Sequence, residues 1–224
     1  LLLDRAITLL TEKRELNVLW TMSSKEREQK MLPIRIPIYK GLIGWRLLLI
    51  RKDMAERFTY IQQLEHLLKL SPLQGRDWAD TKILQSNGFD VLTERTHSAM
   101  MKMLGNAQGD FFPRSIIEIW DELANNELEN QIQIQPTIGI RYPAAIYFFV
   151  NKKSVPLANI IASGLEKAIK NGKFEALFKE HYQGYIDKAQ LGGRTFYQLD
   201  NAFLPEETPL ERKELWFDGK VKDE

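Results

Sequence analysis

The sequence predicts an α/β protein, because two hydrophobic periodicities alternate along most of its length. Short apolar runs bounded by turn residues, such as FDVLTE from Phe89 and AAIYFFVNK from Ala144, have the pattern of buried strands. Between these runs lie stretches in which apolar residues recur three and four positions apart, as in amphipathic helices. Strands that alternate with helices are typical of α/β folds, and they predict largely parallel sheets.

The composition restricts the class of protein. The chain of 224 residues is 44% hydrophobic, enough to bury one large core or two modest ones. No apolar run approaches the roughly 18 residues that a membrane helix needs. Its 31 Lys and Arg residues are interspersed with 30 Asp and Glu residues, so a basic surface for nucleic acid is not expected. The absence of cysteine excludes disulfides, thiolate catalysis and cysteine-ligated metal centres.

The first third of the chain predicts a helix, two strands and a short helix between them. The chain opens at once in helical periodicity, at Leu3, Ala6, Leu9 and Leu10, which suggests that a preceding segment has been removed. NVLWTM predicts a short buried strand. SSKEREQKM predicts a short helix with a capping box formed by Ser23 and Glu26. The prolines of PIRIPIYKG predict extended backbone, and GWRLLLIRKD predicts a strongly apolar strand.

The remainder of the chain predicts further strands, helices and a tail. Helices are expected in YIQQLEHLLKL, in the segment that stops at Asn87 and Gly88, in THSAMMKMLGN, and in RSIIEIWDELANN with a capping box at Ser115 and Glu118. Strands are expected in FDVLTE, GDFFP, NQIQIQPT and AAIYFFVNK. Two amphipathic helices follow, separated by Asn-Gly, and the second is expected to end at Gly184. The tail from residue 195 to 217 predicts a strap held in place by its side chains.

No catalytic motif is present in the sequence. It contains no P-loop, G-x-G-x-x-G, H-E-x-x-H or G-x-S-x-G pattern, and no residue pairs as a nucleophile with a base. His66, His97 and His181 lie in separate predicted helices at no metal-ligand spacing. Asp77 and Asp80 stand at a helix start, where capping is favoured over catalysis. The sequence therefore predicts no enzyme, no cofactor and no metal site.

The loop LQGRDWADT is a candidate anion site. A strand followed by Gly75 and a helix start would present free backbone N–H groups and the positive end of the helix dipole. Arg76 would supply a forked donor and Trp78 a flat apolar wall. The alternative, equally favoured by the local sequence, is a tight turn with an exposed arginine.

Several segments, taken in order, resemble the bacterial extracellular solute-binding proteins of family 3, the amino-acid ABC transporter type with a type II periplasmic binding protein fold. SSKEREQKMLPIRIPIYKG resembles the segment in which that family carries Thr-x-x-Glu-Arg before a Pro-Tyr strand. LEKAIKNGKFEALFKEHYQG resembles its two final helices, separated by a glycine-containing break and ending on an aromatic residue and glycine. The similarity covers about Leu16 to Gly184.

The resemblance implies two lobes, joined by two crossover strands, with a ligand in the cleft between them. Lobe 1 would comprise residues 1–45 and 149–224, lobe 2 residues 46–148, and the crossovers RLLLI and YFFV. This chain lacks most of the strand–helix–strand unit with which the family opens lobe 1. Lobe 1 is therefore expected to be truncated at its N-terminus, with an exposed edge near Val18 to Trp20.

The resemblance also implies which residues bind the ligand. Those expected to line the cleft are Trp20, Arg27 and Tyr39 from lobe 1 and Arg76, Trp78 and Arg114 from lobe 2. Arg27 matches the arginine that clamps the ligand carboxylate in amino-acid binders. The alternative is that Arg27 is an ordinary residue of the short helix. Where amino-acid binders place an acid for the ligand ammonium, this chain has Pro113 and Arg114.

The expected ligand is small and polar, anionic or amino-acid-like. Three arginines with few acids favour an anion, unless Arg76 and Arg114 pair with Asp77 and Glu118. The resemblance implies a periplasmic protein, exported with a signal segment outside this chain, whose partner is an ABC transporter permease. The alternatives are a sensory module of the same fold that reports to a signalling partner, and an enzyme on this scaffold. The enzyme would need a cleft carboxylate with a raised pKa.

Overall fold

The computed structural model describes residues 3–219, which form two compact units. Unit 1 comprises residues 3–42, 144–184 and 203–219, and unit 2 comprises residues 43–143 and 185–202. The lobe boundaries inferred from the sequence stay a prediction. In the observed units, as in the inferred lobes, the chain leaves the first unit near residue 42 and returns to it near residue 143. The sequence analysis did not anticipate that residues 185–202 belong to unit 2.

Helices and strands alternate along the described chain, as the sequence predicted. The helices are α1 (Leu3–Thr11), α2 (Lys25–Lys30), α3 (Ala55–Thr59), α4 (Leu64–Leu67), α5 (Ala79–Ser86), α6 (His97–Gly105), α7 (Ile119–Ala124), α8 (Val155–Lys170) and α9 (Lys173–Ala189). The strands are β1 (Leu19–Met22), β2 (Leu32–Ile34), β3 (Trp45–Arg51), β4 (Leu73–Gly75), β5 (Leu92–Glu94), β6 (Phe111–Ser115), β7 (Ile132–Arg141), β8 (Ile146–Val150) and β9 (Thr195–Gln198). Within the described residues, no helix has the length and apolar content needed to cross a membrane.

Unit 1 is built on a three-stranded sheet with the order β1–β8–β2. Side chains alternate along β8, so Tyr147 and Phe149 pack with α1 on one face while Val150 packs with α8 on the other. Strand β1 lies at the edge of this sheet, and its Trp20 is 58% exposed. The exposed edge expected near Trp20 is therefore present. Helix α8 is only partly covered, since Ile160 is 70% exposed.

Unit 2 contains a four-stranded sheet with the order β6–β3–β7–β9 and a parallel pair formed by β4 and β5. Strand β3 is its centre, because residues 47–50 are fully buried between β6 and β7. Continuous burial explains why this strand reads as an unbroken apolar run in the sequence. Strand β9, which the sequence analysis placed in a strap, instead pairs in parallel with β7.

The expectation of largely parallel sheets is wrong. Among the described strands, β1–β8, β2–β8, β3–β6 and β3–β7 are antiparallel, and β4–β5 and β7–β9 are parallel. Alternating helices and strands show that helices connect successive strands. They do not show which strands become neighbours in a sheet. The two segments expected as crossovers pair within their own units, β3 with β6 and β7, and β8 with β1 and β2.

Three helix ends differ from the sequence expectation. The cap of α2 is Ser24, whose Oγ accepts from the Arg27 N–H at 3.2 Å, because the Ser23 hydroxyl donates to Glu28 instead. The expected cap Ser115 belongs to β6, and Glu118, at the N-cap of α7, makes no side-chain cap. Helix α9 passes through Gly184 to Ala189, since Ile186 and Ala189 are buried and stabilise the extra turn.

The tail crosses unit 1 and is pinned there by side chains and main chain. The Trp216 Nε1–H donates to the Pro209 carbonyl at 2.8 Å, and the Phe217 N–H donates to the Lys40 carbonyl at 2.8 Å. Gly41 lies under the Trp216 ring, and a Cβ at that position would be 2.6 Å from a ring carbon. Gly41 also has a φ of +74°, so the tail packs against a position that suits only glycine.

We expect alanine at Gly41 to destabilise the protein more than alanine at Gly172. Both glycines have left-handed backbone, with φ of +74° and +77°, but a Cβ at Gly172 would meet no atom within 4 Å. Gly172→Ala should lower the free energy of unfolding by about 1 kcal/mol through backbone strain. Gly41→Ala adds overpacking against Trp216 and should cost about 2–4 kcal/mol. Equal losses in urea unfolding would contradict the packing of the tail on Gly41.

Candidate functional site

The turn between β4 and α5 is the best-defined candidate site, and it lies in unit 2. The Arg76 N–H donates to the Glu94 carbonyl at 2.9 Å, and the Thr81 hydroxyl donates to the Gly75 carbonyl at 2.6 Å. These bonds fix the turn between the strand and the helix. They leave the Arg76 side chain exposed, and Trp78 is half-buried at the N-cap position of α5.

Trp78 forms one layer of a stack. Its ring lies against Gly75, where any Cβ would overlap the indole. The ring is stacked on Phe112 with 6.2 Å between centroids and 20° between planes. The Arg114 guanidinium carbon is 4.6 Å from the Trp78 centroid, within cation–π distance. Gly75 is thus required for the packing of Trp78, and the structure brings the predicted site residues Trp78 and Arg114 together.

Arg114 is buried and already paired. Its Nε and Nη2 donate to the two carboxylate oxygens of Glu122, each at 2.6 Å, and Nη2 is 3.1 Å from Glu118 Oε2. The alternative of pairing with Glu118 is therefore present, together with a stronger bidentate pair to Glu122. His97 Nε2 lies 3.2 Å from the same carboxylate. Burial favours a raised pKa for Glu122, but the nearby His97 ring and the hydrogen bonds from Arg114 outweigh it and hold that pKa at about 2.

Asp80 belongs to a second buried group, which continues the first. Its Oδ1 accepts hydrogen bonds from the Arg46 guanidinium and from the Tyr142 hydroxyl, and all three residues are buried. Arg46 Nη1 is also 3.5 Å from Glu118 Oε2. Asp80 is therefore not the simple helix cap that the sequence indicated. The signal that could have shown this is Arg46 itself, a lone charge inside the apolar run of β3.

These ionic contacts form one network through unit 2. The connected residues run in space through Tyr142, Asp80, Arg46, Glu118, Arg114, Glu122 and His97. They come from β3, β6, α5, α6 and α7 and from the segments that flank them. The network therefore anchors the start of α5 to the central strand of the sheet. Arg76 and Trp78 lie in the turn that immediately precedes this helix.

Two of the three candidates in unit 1 contact partners within that unit, and the third is exposed. Arg27 is half-buried and donates from Nη1 to the Met22 carbonyl at 2.7 Å. The Tyr39 ring meets the Tyr182 ring edge-on at 5.6 Å between centroids. Trp20 is exposed on the edge strand β1. Their role in ligand binding stays a prediction, as does that of Arg76, Trp78 and Arg114.

Two features bear on the chemistry that the described residues can perform. No group of three or more His, Asp or Glu residues in the described part of the chain could hold a metal ion. The carboxylates whose pKa is shifted (Glu122, Glu166, Glu175 and Glu214) are all shifted downward. A lowered pKa makes a carboxylate a weak proton acceptor, so these groups are poor candidates for general acid–base chemistry.

Comparison with known proteins gives the fold. No protein-family model matches the chain, and no curated protein matches its sequence. Among solved structures, a mutant of the ArgBP of T. maritima matches with a TM-score of 0.58 and 17% identity over 81% of this chain and 75% of that one. An L-arginine-bound amino-acid ABC transporter substrate-binding protein of Streptococcus pneumoniae gives 0.59 and 12%, over 80% and 72%.

A third solved structure is a histidine kinase sensor domain with similarity to periplasmic binding proteins. It matches with a TM-score of 0.60 and 17% identity, over 80% of this chain and 75% of that one. At these identities the likeness establishes the fold alone. The chain has the fold of the type II periplasmic binding proteins, and that sequence prediction is confirmed.

We expect Asp80→Asn to destabilise the protein strongly, because it removes the carboxylate that is hydrogen-bonded to the buried Arg46 guanidinium and leaves Arg46 only the more distant Glu118 at 3.5 Å. Breaking a buried pair in this way costs about 3–5 kcal/mol. The matched control is Glu166→Gln, which breaks the bidentate pair that Arg212 makes at the surface at 2.5 and 3.0 Å. That exposed pair should be worth less than about 1 kcal/mol. Denaturant unfolding measures both, and similar losses would contradict the anchoring role of Asp80.

We also expect Glu122 to make stability fall in acid. Its pKa is lowered from 4.5 to about 2 in the folded protein, so its contribution is complete above pH 4.5 and is lost as the pH falls towards 2. The shift corresponds to about 3 kcal/mol. Glu122→Gln should therefore destabilise the protein at pH 6 and make less difference with each step toward pH 3. Glu180→Gln, an exposed change on α9, is the control. A pH-independent difference for Glu122→Gln would contradict this linkage.

Proposed function

We propose that this protein is a non-enzymatic solute-binding protein that captures a small polar ligand in the bacterial periplasm and delivers it to an ABC transporter permease. The observation that carries the proposal is the turn from β4 to α5, which holds exposed Arg76 beside half-buried Trp78. The proposal draws further support from the fold, because two of the similar structures are an ArgBP and an amino-acid ABC transporter substrate-binding protein.

An amino-acid-like ligand fits the charges of unit 2 better than a simple anion does. Arg114 was one of the three arginines that favoured an anion, but its charge is compensated by Glu122 and Glu118. Arg76 makes no ion pair within the described residues, and its neighbour Asp77 is exposed as well. One cation and one acid beside an aromatic wall suit a ligand that carries both a carboxylate and an ammonium group.

A sensory module is the second candidate function. It is favoured by the likeness to the histidine kinase sensor domain, which is as close in fold as the transport proteins. In that role ligand occupancy would be passed to a signalling partner. A permease gene beside the gene for this protein would favour transport. An enzyme on this scaffold gains no support from the carboxylates, whose shifted pKa values are all lowered.

A thermal-shift screen tests the proposal directly, because a ligand that binds the folded state raises its melting temperature. The panel should contain amino acids, dicarboxylates and sugar acids. We expect a rise with one or more amino acids and a change in tryptophan emission, since Trp78 lies beside Arg76. A panel without any rise would count against a solute-binding function.

We expect Arg76→Ala and Arg27→Ala each to weaken binding of the ligand so identified by about tenfold to a hundredfold. A charge-assisted hydrogen bond to a carboxylate contributes roughly 1.5–3 kcal/mol, and 1.4 kcal/mol is a factor of ten. The matched control is Arg5→Ala, which removes an exposed arginine of α1. Unchanged affinity in Arg76→Ala would reject the turn as the binding site. Unchanged affinity in Arg27→Ala alone would reject only the clamp inferred from the resemblance.

A further inference from the structure

Unit 1 contains a groove that none of the predicted site residues lines. It has a volume of about 530 Å³ and runs between α2, the start of β2, Lys152 and the tail at residues 205–207. The tail is fastened beside it, because the Lys25 N–H donates to the Phe203 carbonyl at 3.0 Å. This volume lies within the range of about 300–1,000 Å³ that is typical of small-molecule sites.

The wall of the groove combines an apolar floor with charges of both signs. Half-buried Leu32 and Pro33 supply the apolar surface, and the buried residues Met31 and Pro205 lie beneath it. Lys152 lies on one side, and Glu206 and Glu207 lie on the tail. A guest that carries only one sign of charge would leave either Lys152 or the two glutamates unmatched. The surface therefore suits a dipolar molecule with an apolar part.

The inner end of the groove contains a hydrogen-bond donor without an acceptor. The Glu28 side chain is 8% exposed and accepts from the Ser23 hydroxyl at 2.6 Å and from the Arg35 guanidinium. The Nε–H of Arg35 is buried and has no hydrogen-bond partner among the described residues. The buried hydroxyls of Tyr147 and Thr208 interact with each other nearby. A buried donor without a partner is costly, so an acceptor that reaches Arg35 is favoured.

The Tyr147 hydroxyl lies close to the same two charged groups, Glu28 and Arg35. Burial raises the pKa of Tyr147 to about 12, and the groups that act on it besides burial are Thr208, Glu28 and Arg35. Arg35 also makes a distant ion pair with the tail, in which its Nη2 is 3.9 Å from Glu207 Oε2. The Glu207 carboxylate thus stands near the position that a carboxylate from outside would take.

We propose that this groove binds a free di- or tripeptide. The peptide carboxylate lies at Arg35 in place of Glu207, its ammonium lies against Glu206 and the displaced Glu207, and an apolar side chain packs on Leu32 and Pro33, next to the buried Met31. This site is separate from the one proposed for the solute, because Arg27 on the same helix donates to the Met22 carbonyl and does not line the groove.

The test uses the tripeptide Gly-Leu-Gly and protein labelled with ¹³C at the methionine methyl groups. The chain has six methionines, and Met31→Leu assigns the signal of Met31. We expect a saturable shift of the Met31 methyl signal with the free tripeptide. The N-acetylated and the C-amidated tripeptides each lack one charge and should bind at least tenfold more weakly.

A double variant supplies the matched control. Glu206→Gln with Glu207→Gln removes two exposed carboxylates and leaves the Glu28–Arg35 pair in place. We expect it to bind the free and the N-acetylated tripeptide equally, because the partners of the ammonium are gone. The proposal is overturned if Met31 does not respond to the peptide, if both capped peptides bind as tightly as the free one, or if the double variant still discriminates.

The outcome is separable from the proposed function. If an amino acid raises the melting temperature and neither it nor the peptide shifts the Met31 signal, solute binding is supported. The same result overturns the proposal that the groove binds a peptide. A peptide response at Met31 with no response to the solute panel supports the groove and counts against the solute-binding function.

Discussion

The buried pair of Arg46 and Asp80 is the constraint on which the rest of unit 2 depends. A guanidinium at 2% exposure in the central strand is tolerable only if its charge is compensated and its donors are bonded. Asp80 supplies the charge from the first turn of α5, and the Tyr142 hydroxyl shares the same carboxylate oxygen. Burial favours a lowered pKa for Arg46, but Asp80 and Tyr142 outweigh it and raise that pKa above its usual value. The start of α5 is therefore tied to β3 by electrostatics as well as by packing.

This constraint also determines which charges unit 2 offers to a ligand. Glu118 lies between Arg46 and Arg114, so the two buried arginines share one acid, and Glu122 completes the pairing of Arg114. The guanidinium of Arg114 thus packs on the ring of Trp78, and the charge of Arg114 is already compensated. What remains at the surface is Arg76 beside Asp77, a smaller and more dipolar arrangement than three converging arginines. The preference for an amino-acid-like ligand follows from this internal compensation.

Unit 1 is organised by a different principle, the covering of apolar surface. Its small sheet has α1 on one face and α8 on the other, and the tail adds Trp216, which packs against the α1 side. The tail can lie close because Gly41 has no side chain, and its passage over unit 1 also forms the groove lined by Glu206 and Glu207. The tail thus contributes both to the stability of unit 1 and to the groove proposed as a peptide site.

The sequence by itself determined the features that depend on neighbouring residues. Periodicity located most of the helices and strands, the Asn171–Gly172 break was correctly placed, and the order of the segments identified the fold. Tertiary structure alone decided features that join distant residues. Arg46 and Asp80 are 34 positions apart, so no local pattern could pair them. Strand β9 pairs with β7 although more than 50 residues separate them, and α9 continues past Gly184 because burial of Ile186 outweighs the local preference of glycine to end a helix. Local propensities are small, and burial and charge pairing between distant segments override them.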